Sequence, residues 1–158
     1  MADVQRPTSS NESRASYSLD RLIDEAASAI TRLDPTEAYS AAAADGVIID
    51  IRSQDARVRD GVIPGSVHIP RTVLEWRVAL DSPWRNLHLG GVDQQLILVC
   101  DHGYSSILAA SNLVQLGFYR AADVIGGFEA WRHVGLPVAR CRRPPFAVDG
   151  LPGTGPPD

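Results

Sequence analysis

No apolar run in these 158 residues approaches the ~20 that a bilayer-spanning helix needs. The opening MADVQRPTSSNESRASYS also lacks the apolar core of a signal peptide, so a cytoplasmic location without a membrane partner is expected. Cysteine is scarce: Cys100 and Cys141 are the only two, far apart in sequence, which excludes a disulfide framework and suits a compartment where thiols stay reduced. There is no run of basic residues, and the net charge of −4 with a pI near 5.5 argues against nucleic acid and anionic membrane surfaces as partners. His68, His88, His102 and His133 show no metal-ligand spacing with the cysteines. Neither G-x-x-x-x-G-K-[ST] nor a strand-linked G-x-G-x-x-G is present, so no cofactor is indicated.

What remains is ordinary globular material, 44% hydrophobic and 22% charged, enough for one domain with a proper core. Residues 1–17 read as a polar tail, 18–139 as the domain, and 140–158, rich in Pro and Gly, as a second tail. Ser18 is a candidate N-cap for a helix to about Ala29, with Leu19, Leu22, Ile23, Ala26 and Ile30 on one face. Thr31 to Leu33 is a short extended segment. Asp34-Pro35-Thr36-Glu37 then carries capping-box chemistry, with Pro at the first helical position of a second helix to about Ala44.

Val47 to Ile51 and Gln95 to Val99 are apolar, β-branched runs of the kind buried in a parallel sheet. Val67 to Ile69 and Ala122 to Ile125 are shorter ones. Helical stretches are expected around Val73 to Val78, from Ser106 to Leu116 and from Phe128 to His133, with Gly117 as the stop after the second of these. Strands alternating with helices predict an α/β fold of three layers: a mostly parallel sheet of about five strands with helices on both faces. In such sheets ligands bind beyond the carboxyl ends of the strands.

Cys100 occupies such an end. Cys100-Asp101-His102-Gly103-Tyr104-Ser105-Ser106 joins a strand to a helix, where loop amides and the helix N-terminus converge and favour an anion. Such an environment lowers a thiol pKa and increases the nucleophilic thiolate. Gly103 suits a position that needs positive φ or close backbone approach, and Ser105 or Ser106 can cap the helix. The plainer alternative is that a free cysteine ending an apolar strand is simply a small hydrophobe.

Three segments, in order, resemble the rhodanese (sulfurtransferase) family. Ile49-Asp50-Ile51-Arg52 through Ile63-Pro64-Gly65-Ser66 to Ile69-Pro70 is similar to its D-x-R … I-P-G-A … I-P segment. The Cys100 to Ser106 loop is similar to its C-x-x-G-x-R/S-S loop. Gly126-Gly127-Phe128-Glu129-Ala130-Trp131 with Gly135-Leu136-Pro137-Val138 is similar to its G-G-x-x-x-W … G-x-P-V ending. The resemblance implies a rhodanese-like, three-layer fold and a sulfurtransferase of the thiosulfate sulfurtransferase type. Its cysteine takes a sulfane sulfur from thiosulfate, 3-mercaptopyruvate or a persulfide and passes it to cyanide or a thiol, with a protein as a possible donor or acceptor. Carried over by position, Cys100 is the nucleophile, and Asp101, His102, Gly103, Tyr104, Ser105 and Ser106 form the persulfide loop.

The sequence departs from the family pattern at Val62, where a His often stands, and at Asp101, whose charge repels a dianionic donor by about 1 kcal/mol or more. A second reading is therefore a weakly active sulfur-carrier or regulatory binding module. Phosphatases and arsenate reductases of a related branch have a longer loop ending in an arginine that clamps the oxyanion; this loop has none. Arg57 is either an anion contact or a solvated surface residue, and Asp50 with Arg52 is expected to be a structural pair. Tyr104 either stacks on a substrate or covers the loop. Trp76, Phe128 and Trp131 are expected in the core or lining a groove, and Cys141 as an incidental thiol.

Overall fold

The computed structural model describes residues 18–142; the expectations for residues 1–17 and 143–158 lie outside the described residues. Five parallel strands form one sheet: β1 (Thr31–Leu33), β2 (Val47–Asp50), β3 (Val67–His68), β4 (Leu96–Val99) and β5 (Ala122–Val124). Their spatial order is β1-β5-β4-β2-β3, with β4 at the centre. All four of its residues are buried, as the unbroken apolar run implied.

The period-2 alternation of the strands divides the core in two. Ile49, Leu96 and Leu98 pack with Leu113 and Phe118 on one face, while Ile48, Ile97 and Val99 pack with Ala38, Phe128 and Trp131 on the other. The first face is covered by α1 (Leu19–Ser28), α4 (Leu74–Val78) and α5 (Ser105–Gln115), and the second by α2 (Pro35–Ala44) and α6 (Gly127–His133). The remaining helix, α3 (Gln54–Asp60), follows β2. The expected α/β architecture with helices on both faces is therefore present.

Local chemistry sets most boundaries. Ser18 caps α1 by accepting from the Arg21 amide at 3.1 Å. Asp34 and Glu37 close the reciprocal capping box at the start of α2, with bonds of 2.9 and 2.8 Å. Gly117 takes φ +98° just past α5, the left-handed stop expected of it.

Two expectations are corrected. On α1, which packs against α5, only Ala26 of the apolar face is buried, and Leu19 and Leu22 are exposed. Trp76 is 55% exposed rather than in the core. Leu74 and Val78, four residues apart, already form the buried side of α4, and Glu75 is tied to Arg71 (2.9 Å) and to Asn112 of α5 (2.8 Å), which turns Trp76 to solvent. Phe128 and Trp131 are buried as expected, with the Trp131 indole donating to the Pro137 carbonyl at 2.9 Å.

Candidate active site

β4 delivers Cys100 to the carboxyl edge of the sheet, and α5 leaves from the same place five residues later. The thiol is 5% exposed. Burial among hydrocarbons alone would make it inert, but its sulfur is also met by polar groups. The Gly103 amide donates to Sγ at 3.1 Å, and the Ser106 hydroxyl lies 3.3 Å from it. Burial pushes the thiol pKa up; the Ser105 and Ser106 hydroxyls and the Ser106 and Gly103 amides more than offset this, and the net shift is downward. These donors stabilise the thiolate against the cost of its burial.

The loop is held open toward the sulfur by what its carbonyls do. The Cys100 carbonyl accepts from the Phe128 amide at 2.8 Å, that of Asp101 from the Glu129 amide at 3.1 Å, and that of Gly103 from Arg32 Nη2 at 3.3 Å. With these acceptors drawn outward, the Gly103 N–H faces inward. Gly103 has φ +82° and lies so close to the next turn that an added Cβ would stand 2.6 Å from the Gly126 nitrogen. Gly127, φ +64°, is equally confined: a Cβ there would meet the Cys100 carbonyl oxygen at 2.5 Å and the Gly103 nitrogen at 2.7 Å.

Gly127→Ala is accordingly expected to lose at least about 1–3 kcal/mol of stability from the backbone conformation alone. It should also displace the loop, so that Cys100 alkylation reaches half its maximal rate at a higher pH than in the parent. Denaturant unfolding and an alkylation profile measure the two effects; an unchanged profile would mean that this contact does not set the loop.

The serines do not cap α5 as expected. Tyr104 is the N-cap, without a side-chain bond, and Ser105 and Ser106 lie inside the first turn. The reason is that the Ser106 hydroxyl is already engaged: it lies against the sulfur on one side and donates to Asp123 Oδ2 at 3.0 Å on the other.

Asp123 is fully buried and in turn holds Arg32, whose Nε and Nη2 reach its two oxygens at 2.8 and 3.1 Å. That bond raises the Arg32 pKa, against its partial burial, with smaller contributions from the charges of Asp123 and Cys100. Sequence reasoning passed over both residues. The signal was there as a lone carboxylate inside the short apolar strand Ala122–Val124, which needs a buried partner.

The remaining expected residues are placed as follows. His102 Nδ1 lies 2.7 Å from Glu129 Oε2, both side chains exposed, and Tyr104 is exposed. His102, Tyr104, Gly126, Glu129, Ala130 and His133 line a cleft of about 490 Å³ between the loop and α6.

Asp50 and Arg52 form the structural pair expected of them. Arg52 Nε and Nη2 reach the carboxylate at 3.0 and 2.8 Å, Nη2 also reaches the Gly61 carbonyl at 2.8 Å, and the guanidinium lies 3.6 Å over the Phe128 ring. Arg57 is not a solvated surface residue. Its side chain is 13% exposed, with Nε 3.3 Å from Asp50 Oδ2 and Nη1 donating to Gln54 at 2.9 Å. Cys141 is partly exposed beside Gln54 Nε2 at 3.6 Å, and both cysteines are free. Among the described residues no cluster of His, Cys, Asp or Glu is arranged to hold a metal ion, and no helix is long and apolar enough to cross a membrane.

Residues 34–133 match the family model described as Rhodanese-like domain. The chain is 36% identical over 102 residues to the thiosulfate sulfurtransferase GlpE of Stutzerimonas stutzeri (strain A1501), covering 65% of this chain and 84% of that protein. Against the thiosulfate sulfurtransferase GlpE of Pseudomonas paraeruginosa it is 34% identical over 104 residues, with coverage of 65% and 84%. Among solved structures it is similar to a Rhodopseudomonas palustris CGA009 protein described as of unknown function, possible tyrosine phosphatase. The TM-score is 0.72 at 34% identity, over 77% of this chain and 94% of that one. The polysulfide-sulfur transferase homodimer of Wolinella succinogenes shares the fold, with a TM-score of 0.63 at 22% identity over 76% and 85% of the two chains.

Proposed function

The chain belongs to the rhodanese-like domain family, and from that premise we propose that it is a sulfurtransferase in which Cys100 carries the sulfur between donor and acceptor. The observation that carries this reading is the Cys100 sulfur held between the Gly103 amide and the Ser106 hydroxyl, a setting that suits an anionic sulfur. In the first half-reaction the thiolate attacks the outer sulfur of a donor such as thiosulfate. A Cys100 S–S bond forms, the donor's sulfur–sulfur bond breaks, and sulfite leaves with the electron pair. In the second, cyanide or a thiol attacks the outer sulfur of the persulfide and the thiolate returns. A thiolate needs no general base at the moment of attack. The curated relatives named above support thiosulfate as a donor class.

The description of the Rhodopseudomonas palustris protein raises phosphatase chemistry as the competing reading. Against it stands the loop from Cys100 to Ser106, which contains no arginine to stabilise a phosphoryl group in flight.

Intact-mass measurement after incubation with thiosulfate tests the proposal. One added sulfur, removed by cyanide with release of thiocyanate, is expected, together with no turnover of p-nitrophenyl phosphate. Phosphate release without sulfur loading would reverse the assignment. Loading only from another protein's persulfide would instead favour the carrier module.

A further inference from the structure

Behind the sulfur lies a continuous polar line that the sulfur-transfer chemistry does not require: Cys100, Ser106, Asp123, Arg32. Its members meet because of register. Leu98 of β4 pairs with Asp123 of β5, and Asp123 pairs with Arg32 of β1. Cys100 is two residues beyond Leu98 and so falls on the same face, the one that carries α5 and Ser106.

The fully buried Asp123 keeps its charge compensated by the two-point contact with Arg32, and its remaining contact is the Ser106 hydroxyl. A hydroxyl has one proton to give. When the sulfur bears a proton, S–H donates to Ser106 Oγ and the Ser106 proton goes to Asp123 Oδ2. When the sulfur is a thiolate it becomes a competing acceptor for that same proton.

We propose that Ser106 is a two-position hydroxyl switch and that Asp123 and Arg32 are positioning residues acting through it. The Ser106 proton is held by Asp123 while Cys100 is a thiol or carries a sulfane sulfur, and turns to Sγ when the thiolate forms. Asp123 therefore competes with the thiolate, and Arg32 moderates that competition by drawing the carboxylate toward itself. The pair sets how basic the sulfur is, hence how readily it attacks and how readily it leaves when the acceptor takes the outer sulfur. No atom is exchanged in the switch; one O–H bond rotates.

The other charged groups around the loop are engaged elsewhere. His102 faces Glu129, and Asp101 lies in the field of Arg59, itself bound to Asp60. On β2 and α3, Asp50 is held by Arg52 and Arg57.

The role in transfer rests on the sulfurtransferase reading, but the switch is tested without it, by the pH profile of iodoacetamide alkylation at Cys100. All variants carry Cys141→Ser, so that one thiol reports. Asp123→Asn removes the competitor's charge, so the profile should move down by about one pH unit, a tenfold gain in thiolate relative to thiol. Arg32→Gln removes the moderating cation and Ser106→Ala the donor, and each should move it up by a similar amount.

In the Ser106→Ala background, Asp123→Asn should shift the profile by less than half as much, since the hydroxyl that carries the coupling is gone. A merely structural pair would give shifts of one sign from Asp123→Asn and Arg32→Gln, because either change only loosens β5 against β1. Shifts of one sign, or a full Asp123→Asn effect without the hydroxyl, would overturn the switch. Should Asp123→Asn not fold, the test passes to Arg32→Gln, whose upward shift should fall to less than half in the Ser106→Ala background, with Asp123→Glu, which keeps the charge, leaving the profile near the parent's. Failure to load sulfur with these profiles intact would count against the sulfurtransferase reading and leave the switch standing.

Discussion

Cys100→Ser is expected to abolish sulfur loading and thiocyanate formation, a loss of at least about a thousandfold set by assay background. The loss follows from the atom and not from the loop. A serine hydroxyl has no accessible anion near neutral pH, and an oxygen attached to a sulfane sulfur would not give a stable carrier. The neighbouring amides and hydroxyls would remain in place, because the Gly103 N–H can donate to an oxygen as it does to Sγ. Thermal unfolding should therefore change by only a few degrees while the added-sulfur mass disappears. Retained loading on the variant would move the chemistry to Cys141, the other thiol in the chain.

The largest stability effect is expected at Asp50, which touches no substrate in the proposed reaction. Its carboxylate and the Arg52 guanidinium are both fully buried, and Arg57 leans on the same carboxylate. Asp50→Ala leaves one arginine wholly and another largely out of water without a counter-charge. Breaking a buried pair in this way costs about 3–5 kcal/mol, a large part of the ~5–15 kcal/mol that holds a small domain together. Because the cluster is enclosed, the loss should be nearly independent of salt. Arg57→Ala should cost much less, about 1 kcal/mol, since that side chain retains some access to solvent and Asp50 keeps Arg52. Urea midpoints of the two variants at low and high salt give the comparison; a difference between them of less than about 1 kcal/mol would mean that the cluster is not what secures the end of β2.

The fold was legible because its signals were local. The apolar runs at 47–49 and Leu96–Val99, the Asp34 to Glu37 box and Gly117 each act within a few residues. Trp76 was misplaced because an aromatic side chain reads as core in any short window. Its actual direction is set by Leu74, Val78 and the Asn112 contact from another helix.

The same division runs through the site. The sequence by itself determined that a thiol would stand at the carboxyl end of a buried strand, beside a glycine suited to the left-handed region and the start of a helix. Those are properties of neighbours along the chain. Only the tertiary structure decided what lies behind that thiol: it turned Ser106 from a helix cap into a bridge, and brought Asp123 and Arg32, 91 residues apart, into one buried pair. The physical reason is strand register. A shift of one residue in the pairing of β5 would point Asp123 into the opposite face of the sheet, and no local pattern of side chains reveals which register three short parallel strands will share.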